Sequence, residues 1–269
     1  MKLSYSTLAT PDLSGVEAIR LARIHEFDGI DLRVSEMSGE LTLDASKEQL
    51  RELSDTLNGE GIALASLWAY NEYGGSGPAS WNQMEMSLLR HIELANKLGA
   101  TSMRIGLGKK PKDQSEALIY LARLTEVIQK VLGQTSNQLT LLIQNHYNNL
   151  NIQECAKIIQ HCGTSKLGLI VSSDHCWLQG EDPQTVGLAA TGITKQFYVA
   201  DIQIHENGYE DVLPGMGEIP MHAYVSTLGG HDFQGWVTFK WEKLWRPYLA
   251  DPEVALPAFI SYMRNLMNE

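Results

Sequence analysis

The feature that most constrains this chain is an alternation. Eight times, a short apolar run rich in β-forming residues is followed by a stretch whose apolar residues recur with helical period. The runs fall at residues 3–8, 29–32, 63–68, 102–105, 139–143, 167–171, 197–204 and 236–239. The helical stretches fall at 15–25, 47–58, 83–98, 115–132, 152–162, 183–190, 220–228 and 252–266. A strand that reaches the next only through a helix pairs with it in parallel, and such units in a chain of 269 residues predict a single (β/α)8 barrel. A doubly wound open sheet is the competing arrangement, and the lack of a Gly-x-Gly-x-x-Gly turn after the first run weighs against it. No linker or low-complexity tract interrupts the pattern, so residues 1–269 read as one domain.

Composition narrows the function. With 43% hydrophobic and 20% charged residues the chain is globular, and no apolar run approaches the roughly 20 residues of a membrane span. The N-terminal segment lacks the basic and apolar regions of a secretory signal. Cys155, Cys162 and Cys176 are odd in number and lack zinc-site spacing, so reduced thiols in a cytoplasmic protein are the expectation. A net charge of −11 argues against nucleic acid as a partner, because phosphate contacts need a basic patch. A small-molecule substrate fits better.

In a (β/α)8 barrel chemistry sits where strands end and loops begin. The second run ends in Asp31-Leu32-Arg33, the third in Trp68-Ala69-Tyr70-Asn71 and the fourth in Arg104-Ile105-Gly106-Leu107-Gly108. The fifth ends in Gln144-Asn145-His146, the sixth in Ser172-Ser173-Asp174-His175, the seventh in Gln203-Ile204-His205 and the eighth in Lys240-Trp241-Glu242. Such polar strand ends suit a polyhydroxylated ligand, with Trp68 available to cover the apolar face of a sugar ring. Each residue also has a plainer reading. Trp68 could be core, and Arg104 could be an ion-pair partner instead of a hydroxyl or phosphate ligand. The loop running from Gly106 to Lys110 could receive a phosphate or be a solvated basic turn. His25, His91, His161 and His222 fall in helical stretches and read as surface or packing residues, and His231 precedes the eighth run on the opposite face.

Taken together, these segments resemble the xylose-isomerase-like sugar isomerases and epimerases over essentially the whole chain. The most specific piece runs from Gly235 to Trp245 and is similar to that family's Gly-Tyr-x-Ser-Phe-Glu-Trp-Glu-Lys-x-Trp C-terminal segment. Gln144-Asn145-His146 resembles its Glu-Asn-His. Ser172-Ser173-Asp174-His175 with Gly180-Glu181-Asp182-Pro183 resembles its Asp-Pro-Gly-His and Gly-Glu-Asp-Pro, and Gly215-Met216-Gly217 its Gly-x-Gly. The resemblance implies a divalent cation held by a Glu, an Asp, a His and a second Glu. Position by position those ligands fall on Gln144, Ser172, Gln203 and Lys240, and none suits a hard dication. Family members are often dimers or tetramers, so a homo-oligomer is a further expectation, although the Trp-rich stretch at 236–245 could belong to a core.

The reading that follows is an enzyme needing no cofactor, with Lys240 in the metal's place. It would act on a keto-sugar or related carbonyl compound by proton abstraction α to the carbonyl. Lys240, His175, Asp174 and His146 are the expected catalytic residues. Trp68, Arg104, Gln144, Ser172, Gln203, His205 and Glu242 are the expected substrate contacts. Lys240 would act as an ammonium electrophile or, with a lowered pKa, as a base or Schiff-base amine. Three alternatives stay open at this level: a Mn, Mg or Zn ion moved outward onto His146, Asp174, His205 and Glu242; a β-eliminating lyase; and a non-catalytic sugar- or partner-binding barrel.

Overall fold

The computed structural model describes residues 1–34, 40–70 and 78–268, with residues 78, 79, 231 and 268 described by backbone alone. Its strands are β1 (Lys2–Ser6), β2 (Gly29–Val34), β3 (Ala63–Ala69), β4 (Ser102–Arg104), β5 (Thr140–Gln144), β6 (Leu167–Ser172), β7 (Thr194–Val199), β8 (Asp201–His205), β9 (Gly208–Val212) and β10 (Trp236–Phe239). Strands β1 to β7 and β10 form a closed parallel barrel in which β10 pairs with both β1 and β7. Helices α1 (Gly15–Ile24), α2 (Lys47–Glu60), α3 (Pro78–Leu98), α4 (Gln114–Leu132), α5 (Ile152–Cys162), α6 (Ser173–Leu178), α7 (Pro183–Ala190), α8 (Met221–Thr227) and α9 (Pro252–Asn268) follow the strands. The predicted barrel is the one observed. The helix starts are encoded locally: Ser14 with Glu17, Ser46 with Gln49 and Asn151 with Glu154 form reciprocal capping boxes.

The seventh run is the main correction. Residues 197–204 read as one strand, but the chain leaves the barrel at Ala200. Beyond it, β8 and β9 form a separate antiparallel hairpin. Asp201 enforces the departure. Its buried carboxylate accepts the N–H groups of Gly215 at 2.8 Å and Gly217 at 2.9 Å, together with those of Ile202 and Ile219. A Cβ at residue 217 would collide with that carboxylate, so glycine is required there.

Inside the barrel the Asp31 carboxylate accepts hydrogen bonds from Tyr198 Oη at 2.8 Å and from Gln196 Nε2 at 2.9 and 3.0 Å. Complete burial raises its pKa from 3.8 to about 7 despite those bonds. The folded chain therefore holds this proton to higher pH than the unfolded chain. Stability should fall as pH rises from about 4 towards 7, losing about 1.4 kcal/mol for each pH unit crossed. Denaturation midpoints should drop further between pH 5 and pH 8 for the wild type than for Asp31→Asn. Equal drops would mean that Asp31 is already ionised in the fold at pH 5.

Among the described residues no helix is long and apolar enough to cross a membrane. Cys155, Cys162 and Cys176 are free thiols. Within the Trp-rich stretch Trp241 is buried, whereas Trp245 is exposed, so that segment is only partly core.

Candidate active site

Lys240 follows directly on β10 and is the centre of the strand-end cluster. Its side chain is only 2% exposed, and Nζ donates to Asp174 Oδ2 at 2.6 Å and to His175 Nε2 at 3.2 Å. Glu242 Oε1 lies 3.3 Å from the same nitrogen. Burial alone would lower the pKa of Lys240, but the carboxylates of Asp174, Glu242 and Asp211 outweigh it and hold the group well above an ordinary lysine. It is an ammonium. A neutral amine, as a base or Schiff-base nucleophile would need, is disfavoured by these neighbours.

The partners reach Lys240 by a route that strand periodicity does not foresee. Beyond Ser172 the chain turns into α6, so Asp174 and His175 lie on the first helical turn over the barrel mouth instead of one layer further along a strand. Ser172 Oγ donates to Asp174 Oδ1 at 2.7 Å, leaving Oδ2 for Lys240. Burial would raise Asp174, but the neighbouring His175 and Lys240 and the two hydrogen bonds hold it well below the usual carboxylate range. His175 is neutral, because burial depresses its pKa and the nearby cations deepen the effect. Since its Nε2 accepts from the ammonium, its proton lies on Nδ1, which has no hydrogen-bond partner among the described residues.

His146 packs against His175 with ring centroids 4.2 Å apart, and its pKa is lowered to about 4 by burial, Lys240 and Arg104. Asn145 ties the ends of β5 and β6 together, accepting the Ser172 N–H at 2.8 Å. Gln144 Oε1 accepts from Arg104 Nε at 2.6 Å. The Arg104 guanidinium lies 4.2 Å from the centre of the Trp68 ring. Trp68 is 3% exposed and also packs on Tyr70 and Tyr198, so it supports Arg104 and offers no open face to a sugar; the platform expectation is corrected. His91 is buried and His161 and His222 are exposed, as packing and surface residues should be. Asn71 and the side chain of His231 lie outside the described residues.

Gln203 and His205 are corrected as well. Both sit on the exposed hairpin, and His205 Nε2 pairs with Glu210 Oε1 at 3.1 Å. The same hairpin supplies residues that sequence reasoning missed. Asp211 is buried and ion-paired with Arg246, and burial raises its pKa to about 6. Tyr209 meets Tyr147 edge-on, and the Arg246 guanidinium lies over the Tyr209 ring. The available signal was the i, i+2 spacing of Tyr209 and Asp211, which puts both on one face of an extended segment beyond the barrel.

These residues do not fit the divalent cation that the family resemblance implies. Gln144 and Ser172 are neutral and already engaged, Gln203 is absent from the cluster, and Lys240 places an ammonium within hydrogen-bonding distance of the buried Asp174 carboxylate. The outward-moved set fares no better, because His205 is on the hairpin surface. Among the described residues no group of three or more His, Cys, Asp or Glu side chains could hold a metal ion.

Fold and site together define a (β/α)8 barrel whose ionisable groups gather at the carboxyl ends of its strands, the face on which such barrels carry their chemistry. The family model of the xylose isomerase-like TIM barrel matches residues 19–265, and the chain belongs to that family. Among solved structures it is similar to D-psicose 3-epimerase determined in the presence of D-fructose, with TM-score 0.78, 16% identity and all of both chains covered. It is likewise similar to the IOLI protein with a bound zinc atom, with TM-score 0.79, 16% identity, and 100% of this chain and 98% of that one covered. The probable 3-DHS dehydratase AsbF from Bacillus anthracis gives TM-score 0.73 at 14% identity, over 98% of this chain and 99% of that one. At these identities the likeness is one of fold. No curated protein sequence matches the chain.

Proposed function

We propose that the protein is a sugar isomerase- or epimerase-like enzyme that moves a proton α to the carbonyl of a polyhydroxylated substrate, with the Lys240 ammonium as its electrophile. The carrying observation is the buried ammonium at 2.6 Å from Asp174 and 3.3 Å from Glu242, at the mouth of a barrel of this family. A carbonyl oxygen that gathers negative charge during deprotonation is stabilised by a preorganised cation in a sheltered site. Asp174 and His175 orient that cation. Glu242 keeps about a fifth of its side chain exposed, at 21%, while Asp174 keeps 4%. Of the two carboxylates it is therefore the one open to substrate, which makes it the favoured proton acceptor. His146, neutral at the edge of the cleft, is suited to bind or relay through its imidazole.

The resemblance to sugar epimerase structures supports a small carbohydrate as the substrate class. The mechanism proposed needs no metal. Incubation with ketoses, aldoses and sugar acids in heavy water should wash deuterium into the substrate's α-carbon, read by NMR, and borohydride should trap no adduct on Lys240. A Lys240 adduct would replace the electrophile by a Schiff base.

A second reading, a non-catalytic sugar-binding barrel, is favoured by the completeness of the Lys240–Asp174 pair, since such pairs also serve structure alone. Saturable sugar binding without any exchange across the panel would support it against the enzyme.

A further inference from the structure

Arg104 is the last residue of β4, on the mouth side of the barrel, and its charge is handled unlike that of any comparable arginine here. Two other sheltered arginines have carboxylate partners, Glu40 for Arg33 and Asp211 for Arg246. Arg104 has none within ion-pair distance among the described residues. Its Nε donates to the neutral Oε1 of Gln144 at 2.6 Å, and its plane is held against Trp68 at 4.2 Å. Neither Nη group donates a hydrogen bond to a described residue. The guanidinium is thus fixed in position and orientation with its outer edge unused. Glu242 and Asp31 offset its charge only from beyond ion-pair distance, and a sheltered cation without a contacting counter-ion is costly unless something supplies one.

The space beside it is suited to that role. Arg104 lines a cleft of about 380 Å³ together with Tyr70, Lys109, His146 and Asn148, and no acidic residue among those described lines it. In a chain of net charge −11 this is a local reversal of sign. Asn149 fixes the loop wall by bonding Gly108 O at 2.6 Å and the Lys110 N–H at 3.1 Å. Lys240, by contrast, already has the Asp174 and Glu242 carboxylates beside it, so its charge is balanced before a substrate arrives.

We propose that Arg104 holds a carboxylate of the substrate, which makes the substrate a polyhydroxylated keto acid instead of a neutral sugar. This rests on the enzyme reading above and names its substrate class. The free guanidinium edge offers paired N–H donors that match the two oxygens of a carboxylate. One guanidinium also balances one monoanion, and the other cation on the cleft, Lys109, is exposed. From Arg104 the cleft runs to His146, whose ring packs at 4.2 Å on His175, and His175 Nε2 lies 3.2 Å from Lys240 Nζ. A substrate held by its carboxylate would therefore extend its carbonyl end towards the proposed electrophile.

Calorimetric titration of the wild type, Arg104→Gln and Arg104→Lys with D-fructuronate, D-fructose and D-fructose 6-phosphate tests this without requiring turnover. The wild type should bind the hexuronate about tenfold to a hundredfold more tightly than fructose, the ratio expected of a charged bidentate contact. Arg104→Gln should level the two. Arg104→Lys, which keeps the charge but loses the fork, should lose most of the preference, and it carries the test alone if Arg104→Gln fails to fold by circular dichroism. Equal wild-type affinities, no binding of the hexuronate, or a preference that survives both variants would overturn the proposal. An Arg104-dependent preference for the phosphate over the carboxylate would overturn the carboxylate assignment. Should the preference fail while neutral sugars still exchange deuterium, only this inference falls. If the preference appears without exchange for any substrate, the enzyme reading falls and Arg104 stands as the carboxylate site of a binding barrel.

Discussion

Replacing Lys240 with methionine should abolish α-proton exchange and destabilise the fold at the same time. Removing a preorganised electrophile costs about 10²–10³ in rate, and losing the base's orientation adds to that. Stability should drop by about 3–5 kcal/mol, because Asp174 is left buried and ionised without its ammonium. The two effects can be separated. In Lys240→Met/Asp174→Leu both charges are gone, so denaturant midpoints should recover most of the loss while exchange stays at background. A double variant that regains exchange would show that the pair serves structure only. Lys240→Arg keeps a cation but changes its shape, so it should fold and retain only a small fraction of the rate.

The second large effect is expected at Glu242, where the balance reverses. Glu242→Gln keeps the shape but removes a proton acceptor, lowering exchange by about 10²–10⁴. Stability should hardly change, because the side chain is part-exposed and Asp174 still pairs with Lys240. The deficit should appear in kcat, with little change in KM, as befits a group acting in the transition state. An unchanged kcat with a raised KM would make Glu242 a binding residue and return the proton acceptor's role to Asp174 or His146.

The sequence was most legible where physics is local and periodic. Strand–helix alternation located all eight barrel strands, and Ser14, Ser46 and Asn151 mark helix starts by chemistry that reads directly from spacing. The cluster around Lys240 was legible in membership, since Lys240, Asp174, His175 and Glu242 do meet. Its geometry was not. Strand periodicity extended past Ser172 puts Asp174 in an outer layer, whereas α6 folds it back onto Lys240. The same extrapolation carried Gln203 and His205 into the mouth, although Asp201, by gathering four backbone N–H groups, diverts the chain into the hairpin. Trp68 looked like a platform because its sequence position is right, but only the packing shows that Arg104 already covers it. In each case a long-range contact of a single side chain overrode a local pattern.

Whether the Lys240 ammonium occupies the place of a metal is tested most directly by one measurement. Protein purified without a metal-chelating step should be dialysed against EDTA, with metal content read by mass spectrometry and α-proton exchange read on the same sample. The expected result is far less than one equivalent of any divalent metal, with exchange unchanged by EDTA. A full equivalent of Mn, Zn or Mg that survives dialysis, or exchange that vanishes with EDTA and returns with added metal, would contradict it.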